Sequence, residues 1–449
     1  MDIKKNTLIR DLGNGLVLRC SNPEDAEKIF EFNALIHGDD GPDERIGQWA
    51  RDLLEKPHPT FGVNDFTIVE EQSTGRIVSS LNLISQTWSY DGIPFKVGRP
   101  ELVGTLPEFR NRGLVRIQMN EVHRWSLERG QLVQAITGIP NYYRMFGYEM
   151  CVDLDGSRSG FEMNLPKLPE TGAGSTGMEP FDLRPASEAD IPFISEVYQY
   201  ASRRSLLSTV RDDAMWQLEL NGRSPNSIAR QIWHIIERCS DGEPVGILAH
   251  PLFSWGVACP AQMYELKAGI SWAEVTPCVV RWLWNLGERV CANEGKTRSA
   301  FTFALGSDHP VYEIMRDNLP RVRKPYTWYM RVADLTSFIW HITPVLETRL
   351  ENSLIPRHSG EIKINFYRDG LRLAFKDGKL VTIENWQPDS KNEGDIAFPD
   401  QVFLQALFGH RSLDELKHAY ADCRWNQDEA RVLVNTLFPR KVSQFMCIS

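Results

Sequence analysis

The sequence contains no C-x-x-C pair, although it has 8 cysteines. They lie far apart along the chain, at Cys20, Cys151, Cys239, Cys259, Cys278, Cys291, Cys423 and Cys447. Without paired spacing they predict neither a zinc site nor a disulfide framework, so a reducing, cytoplasmic location is expected. The 10 histidines show no H-E-x-x-H motif and no pairing at ligand spacing. We therefore expect no metal.

Other absences bear on the partners of the chain. No stretch approaches roughly eighteen uninterrupted apolar residues, and the first residues lack the apolar core of a signal peptide. The net charge of −9 argues against a nucleic-acid partner. The 449 residues, 42% of them hydrophobic, suffice for about two to four domains with ordinary cores. We expect a globular protein whose partner is a small molecule rather than a membrane or a nucleic acid.

A break in composition divides the first half of the chain. In LPKLPETGAGSTGMEP, residues 165–180, proline, glycine, serine and threonine replace periodic apolar residues, which predicts a linker. Its GAGSTG run, residues 172–177, matches the G-x-G-x-x-G dinucleotide fingerprint in letters only. No strand leads into the run and no clear helix follows it, so the physical context for binding a phosphate is missing.

The segments on either side of this linker open alike. VLRCSNPEDAEKIF from Val17 and FDLRPASEADIPFI from Phe181 each predict a short strand, a capped turn and an amphipathic helix. This shared opening favours two related domains in tandem. A third region begins near Arg331, where apolar alternation with glycine turns at Gly370 and Gly378 predicts a small antiparallel sheet followed by short helices.

The run RNRGLVR, residues 110–116, follows a predicted strand and opens a predicted helix. Leu114, Val122 and Trp125 fall on one helix face, and Gly130 stands where a helix would stop. The first amides of such a helix have no intrahelical partners and favour an anion, which Gly113 would let approach the backbone. Three arginines could add charge-assisted contacts to phosphate oxygens. The alternative is a solvated arginine-rich turn.

RNRGLV resembles the R/Q-x-x-G-x-G/A signature of the GNAT acyltransferases, whose helix start binds the pyrophosphate of acetyl-CoA. Val115 departs from the usual small residue at the last position. The resemblance implies that seven residues contact the cosubstrate: Arg110, Asn111, Arg112, Gly113, Leu114, Val115 and Arg116.

NYYRMFGYEM, residues 141–150, resembles the Tyr-x-x-Phe-Gly-Tyr segment of the Eis-like (enhanced intracellular survival) branch, which also has an aliphatic residue at the position of Val115. The resemblance implies an α+β fold with GNAT domains over 1–164 and 181–332, followed by a sterol carrier protein-like domain over 333–449. It implies acetyl-CoA-dependent transfer to an amine such as an aminoglycoside, a polyamine or a lysine-type amine. A homo-oligomer, specifically a hexamer, is expected on the same ground.

The resemblance also assigns chemical roles. A backbone N–H between Val103 and Thr105 would stabilise the oxyanion, where the strands of a GNAT sheet splay apart. Tyr143 would act as general acid, since a phenol with a pKa near 10 stays protonated at neutral pH and can protonate the leaving thiolate. The alternative for Tyr143 is aromatic packing, which we expect for Tyr148.

The general base implied by the resemblance is the α-carboxylate of Ser449. With a reference pKa of about 3.5 it would be ionised and able to accept an ammonium proton. The tail ends in Phe445, Met446, Cys447 and Ile448, and such an apolar end favours burial. The alternative is that the tail only packs against its own domain. His123, on the helix after the motif, is expected to be half-buried or solvated rather than catalytic.

The second domain lacks the signature. MYELKAGISWAEVTP, from Met263, stands where a second motif is expected, so this domain is predicted to serve as scaffold or pocket wall. Its tryptophans Trp255, Trp272, Trp282 and Trp284 could line a wide pocket, although core packing is the alternative we favour. A rival function is a lipid or hydrophobic-ligand carrier that uses the third region, with the GNAT domains as relics.

Overall fold

The computed structural model describes residues 8–168 and 177–445. Within these ranges no helix is long and apolar enough to cross a membrane. Two sequence predictions lie outside them: the GAGSTG run, except for Gly177, and the terminal Ser449.

The first region supplies most of one large sheet and the helices that pack on it. Its elements are β1 (Leu8–Gly13), β2 (Leu16–Cys20), α1 (Ala26–His37), α2 (Glu44–Glu55), β3 (Phe66–Glu71), β4 (Arg76–Tyr90), β5 (Ile93–Thr105), α3 (Leu114–Glu128), β6 (Val133–Ile136), β7 (Glu149–Leu154) and β8 (Ser157–Gly160). The predicted hairpin is confirmed, because β3 and β4 pair antiparallel with Glu71 opposite Arg76. Its core is built from the buried faces of α1, α2 and these strands.

The second region repeats this order with shorter strands. Its elements are β9 (Phe181–Pro185), α4 (Ile191–Ser202), β10 (Leu207–Thr209), α5 (Asp213–Gln217), β11 (Gln231–Arg238), β12 (Pro244–Pro251), β13 (Pro260–Ala261), β14 (Met263–Leu266), α6 (Trp272–Asn293), β15 (Phe301–Phe303), α7 (Pro310–Ile314), β16 (Arg321–Arg323) and β17 (Tyr326–Val332). A single π-helical turn, Leu218–Gly222, continues α5.

A shared ion-pair arrangement supports the predicted kinship of the two regions. Arg19 on β2 donates to both carboxylate oxygens of Asp25 at 2.7 Å, and its Nε donates to Glu70 at 3.0 Å. In the second region Arg184 on β9 contacts Asp190 at 2.8 and 2.7 Å and Glu237 at 2.7 Å. In both, the arginine joins the first strand, the helix entry and the next strand, so the repeat extends from sequence pattern to hydrogen-bond geometry.

The two regions exchange strands, which the sequence analysis does not predict. The large sheet has the order β1-β2-β3-β4-β5-β6-β17-β7, so β17 from the second region lies between two strands of the first. Conversely, β8 from the first region lies between β15 and β16. The domain boundaries at 164 and 332 therefore stay a prediction, and strand pairing crosses both of them.

The third region matches its predicted elements. Its elements are α8 (Leu335–Glu351), β18 (Gly360–Asn365), β19 (Gly370–Lys376), β20 (Lys379–Trp386), β21 (Ile396–Ala397), α9 (Phe403–Leu407), α10 (Leu413–Ala419), β22 (Arg424–Trp425) and α11 (Asp428–Leu437). The meander of β18, β19 and β20 is antiparallel, as predicted. Phe338 of α8 packs edge-on against Tyr90 and Phe95, with ring centroids 5.9 and 5.4 Å away. The third region thus shares one core with the far end of the large sheet.

Candidate active site

β5 separates from its parallel neighbour within the large sheet. The two strands pair only at Val97 with Val133 and at Gly98 with Gln134. Beyond that point β6 continues to pair with β17, where Tyr329 stands opposite Ile136. The second half of β5 therefore has a free edge on the side of β6, and a cleft opens between the two strands.

A β-bulge lies in this free half of β5. Ser80 of β4 pairs with Gly104 and Asn82 pairs with Glu101, so one residue of β4 faces both Leu102 and Val103. Leu102 has a φ of 53°, in the left-handed region. A branched residue there costs on the order of 1–3 kcal/mol, and bulges of this kind re-aim backbone groups beside active sites. The predicted oxyanion segment from Val103 to Thr105 begins at this bulge.

The helix after β5 begins as predicted. Gly113 precedes α3 with a φ of 74°, and a Cβ built there would meet nothing within 4 Å. The first intrahelical bond in this turn runs from the Ile117 amide to the Gly113 carbonyl, at 3.1 Å. The amides of the first turn therefore have no intrahelical partner, and open space faces them. This is the backbone arrangement of an anion site.

Buried hydrogen bonds fix the start of α3 to the strands. Gln118 is fully buried and its amide donates to the Thr67 carbonyl at 3.0 Å. The Ser79 hydroxyl lies 2.6 Å from the side-chain oxygen of Gln118 and 2.7 Å from the Thr105 hydroxyl. The last residue of β5 and the second turn of α3 are thus held by one network, which positions the helix start relative to the bulge.

The three arginines of the motif make no ion pair within the described residues. Arg110 donates through Nε to the Thr105 carbonyl at 3.2 Å. The Arg112 guanidinium donates to the Glu108 carbonyl at 3.0 Å and lies over the Phe109 ring. Arg116 lies 5.2 Å from the centre of the Phe146 ring. Their charge is therefore not neutralised by a neighbouring carboxylate, which favours an anionic ligand.

A cavity of about 960 Å³ joins these features. Its lining includes nine residues predicted for the site, namely Val103, Thr105, Arg110, Asn111, Gly113, Leu114, Val115, Arg116 and Tyr143. Arg112 does not line it, because its guanidinium turns back onto the 107–109 turn. The strand end, the helix start and the tyrosine thus face one space.

Residues 18–151 match the model of the acetyltransferase (GNAT) domain family. This range contains the splayed strand, the bulge and the helix start. The first region is a GNAT acetyltransferase domain. The chain is therefore an acyltransferase enzyme.

Solved structures share the architecture over almost the whole chain. A conserved protein of Enterococcus faecalis V583, described as a probable N-acyltransferase, has a TM-score of 0.64 at 13% identity, with 96% of this chain and 99% of that chain covered. A GCN5-related N-acetyltransferase of Kribbella flavida gives 0.63 at 16%, with 99% of both chains covered. Eis1 of Mycobacterium abscessus gives 0.56 at 13%, covering 96% and 99%. At these identities the likeness concerns the fold. No match was found among curated proteins.

Tyr143 of the GNAT domain opens the short helix Tyr143–Phe146 and is buried. Its ring contacts Tyr142, Tyr148 and Tyr329 edge-on, with centroids 5.5 to 6.3 Å apart. Burial, followed by the charge of Glu101, raises the pKa of Tyr143. The phenol is therefore protonated throughout the physiological range. Packing and a place in the cavity wall are both satisfied, so the two readings of Tyr143 do not exclude each other.

Tyr148 has a different environment. It is fully buried, and its hydroxyl lies 2.8 Å from Nε2 of His123. Burial lowers the pKa of His123 to about 3, which leaves the imidazole neutral. Neither residue lines the cavity. The pair therefore packs α3 onto the sheet, as expected for Tyr148.

The second region has no equivalent cradle within its described part. Ser271 precedes α6, and the KAGIS segment before it carries no arginine. The four tryptophans named above are not among the residues lining the cavity. Trp272 packs edge-on against Tyr264, and Trp282 against His234. The described residues contain no group of three or more His, Cys, Asp or Glu that could hold a metal ion.

The sequence analysis missed four residues that line the cavity. His37 and Trp49 come from α1 and α2, Glu101 from β5, and Ile228 from the second region. Ile228 reaches the cavity because its amide donates to the Arg45 carbonyl of α2 at 3.1 Å. Only Glu101 left a signal in the sequence, as an acid in the otherwise apolar strand end ELVGTL. It forms an ion pair with the buried Arg99, and burial raises the pKa of its carboxyl.

The buried histidines make stability depend on pH. Burial lowers the pKa of His58, His234 and His250 to about 4, and that of His123 to about 3. Below about pH 6.5 the unfolded chain binds protons that the native chain does not, which costs about 1.4 kcal/mol per pH unit for each such group. The free energy of unfolding should therefore fall as the pH is lowered from 6.5 towards 4. Urea unfolding at pH 7.5, 6 and 5 measures this, and His123→Gln should show a shallower fall. Equal stability at pH 7.5 and 5 would contradict it.

Proposed function

We propose that the enzyme transfers an acetyl group from acetyl-CoA to the nitrogen of an amine by direct transfer. One observation carries this proposal: the amides at the start of α3, two unpaired arginines, the bulged strand β5 and Tyr143 all line one cavity. Each supplies one requirement of the reaction. The GNAT domain assignment supports the same chemistry.

The residues at the start of α3 would hold the pyrophosphate of acetyl-CoA. The first-turn amides and Arg110 and Arg116 offer donors and positive charge, and Gly113 keeps side-chain atoms out of the way. Asn111, Leu114 and Val115 line the same end of the cavity. Arg112 would act at longer range, since it lies outside the lining. The free edge of β5 from Val103 to Thr105 would bind the acyl-pantetheine end.

The transfer needs one bond made, one bond broken and one proton moved. The amine nitrogen attacks the thioester carbonyl, and a backbone N–H beside the bulge at Leu102 would stabilise the oxyanion. The C–S bond then breaks and the sulfur takes a proton from Tyr143. Because the pKa of Tyr143 is raised, this proton has to move as the C–S bond breaks rather than afterwards. The products are the N-acetylated amine and CoA thiol.

The carboxylate of Ser449 is proposed as the general base, although the residue lies outside the described ranges. Phe445, the last described residue, packs against Trp88 with ring centroids 4.6 Å apart and stacks on Trp328 at 6.5 Å. The Arg99 guanidinium lies 4.9 Å from the same Trp328 ring and forms an ion pair with Glu101 of the cavity wall. Four extended residues span about 13 Å. A carboxylate that far from Phe445 is within reach of the cavity.

Further properties follow from the resemblance and remain proposals. The acceptor is expected among aminoglycosides, polyamines and lysine-type amines, and the third region is expected to be sterol carrier protein-like. A hexamer and a cytoplasmic location are proposed on the same basis. A thiol-release assay with acetyl-CoA over kanamycin, spermidine and lysine tests the proposed reaction. CoA thiol release that depends on none of these or any other amine would overturn it.

Replacing Tyr143 by phenylalanine should slow the chemical step. The change removes the proposed proton donor and keeps the ring, so kcat should fall about 100-fold while the KM for acetyl-CoA changes little. Steady-state thiol release measures both quantities. Tyr148→Phe is the matched control, since it removes a buried hydroxyl outside the cavity. It should lower stability by about 1–3 kcal/mol and leave kcat near that of the native enzyme. Equal kcat values for the two variants would remove Tyr143 from the mechanism.

Extending the chain beyond Ser449 should lower turnover without unfolding the protein. A few added residues move the carboxylate away from its proposed position, and kcat should fall by about tenfold or more. The control is the same extension placed before Met1, which should leave kcat unchanged. Melting temperatures of both variants are expected to match that of the native chain. Unchanged turnover in the C-terminal extension would show that the terminal carboxylate is not the base.

A further inference from the structure

The end of the cavity away from the α3 start is walled by a second set of residues. We call this set the acceptor wall, and it consists of Ile36, His37, Ile46, Trp49 and Ile228. It stands against the bulged part of β5, since a Cβ placed on Gly104 would come 2.7 Å from the Ile36 side chain. If the cosubstrate occupies the α3 end, the acceptor meets the thioester beside this wall. The inference therefore rests on the proposed function.

The acceptor wall is mostly apolar. Four of its five side chains are isoleucines or tryptophan. Among the described lining residues of the whole cavity, Glu101 carries the one carboxylate, and it is already paired with Arg99. A polycation that enters such a space loses hydration at several charges and finds no free carboxylate there. An apolar body loses little and buries surface.

Two polar atoms of the acceptor wall are buried and lack partners within the described residues. They are Nε2 of His37 and Nε1 of Trp49. The His37 ring also makes a hydrogen bond to the backbone of Leu102, and burial lowers its pKa, so the ring is neutral. With its N–H directed at the Leu102 carbonyl, Nε2 is left as an acceptor. The indole N–H of Trp49 is a donor. A few placed polar atoms on apolar walls are typical of a small-molecule site.

We propose that the acceptor is a primary monoamine on an aromatic or branched aliphatic body, bound against the acceptor wall. The body packs on Ile36, Ile46 and Ile228. His37 Nε2 accepts a hydrogen bond from the amine nitrogen, and Trp49 Nε1 donates to a polar substituent such as a hydroxyl. The nitrogen then forms the new N–C bond as the C–S bond breaks. One proton leaves the nitrogen and one is gained by the sulfur, so atoms and charges balance.

The test compares amines by thiol release at saturating acetyl-CoA. Phenethylamine, tyramine and isoamylamine represent the proposed class, and spermidine, kanamycin and lysine represent the polar class. We expect kcat/KM to be at least about tenfold higher for the apolar monoamines. Turnover with a preference for spermidine or kanamycin would overturn this inference and leave the acetyltransferase standing. No amine-dependent release with any compound would overturn both.

Two wall variants sharpen the test. Ile46→Asp places a carboxylate on the half-buried wall and should lower kcat/KM for tyramine about tenfold while raising it for spermidine, whereas Ile46→Val should change neither. Trp49→Phe keeps the ring and removes the N–H, and serves if the first variant fails to fold. It should raise the KM for tyramine more than for phenethylamine, which lacks the hydroxyl. Equal effects on the two amines, with unchanged preference in Ile46→Asp, would contradict the assignment.

Discussion

The separation of β5 from β6 after Gly98 is the constraint on which the site depends. In a continuous sheet the backbone of β5 would be fully paired, and no N–H at its end could meet a ligand. Here pairing with β6 stops at Gly98, and β17 takes the other side of β6. The bulge at Leu102 then turns the free edge towards the cavity at a cost in backbone strain.

The strand exchange keeps the cleft open. β17 holds β6 from the far side, so β6 has its hydrogen bonds without closing onto β5. Trp328 of the same strand is covered by Phe445 on one side and approached by Arg99 on the other. The second region, which has no α3-like cradle in its described part, thus contributes a strand to the sheet and Ile228 to the cavity wall. This agrees with its predicted use as scaffold and wall.

The third region is tied to the same sheet from another direction. Phe338 of α8 packs on Tyr90 and Phe95, at the far ends of β4 and β5 from the bulge. The hydroxyl of Tyr90 also donates to the Leu407 carbonyl at 2.8 Å. These contacts bring the chain that follows α11 back to β4, where Phe445 meets Trp88. Any carrier function of this region would have to coexist with its structural part in the acetyltransferase sheet.

Local patterns were sufficient for much of the site. Gly113 at the helix start, the strand before it and Tyr143 each have short-range signals, because helix starts and strand alternation are set within a few residues. The position of β17 was not predictable, since Tyr329 pairs with Ile136 across a long stretch of chain and a pattern of alternation does not name its partner. The bulge at Leu102 was also hidden, because leucine is not a residue that signals a left-handed backbone. His37 and Trp49 look like ordinary helix residues until α1 and α2 are packed.

The central claim is that the α3 start binds the phosphates of acetyl-CoA, and a thermal shift titration tests it most directly. Gly113 and Gly130 flank α3, both have positive φ, and a Cβ at either meets nothing within 4 Å. Alanine at either position therefore carries a similar backbone cost of about 1 kcal/mol. The account predicts that acetyl-CoA raises the melting temperature of the native chain and of Gly130→Ala, and raises that of Gly113→Ala much less. An equal rise in all three, or a rise with fatty acids and none with acetyl-CoA, would contradict it.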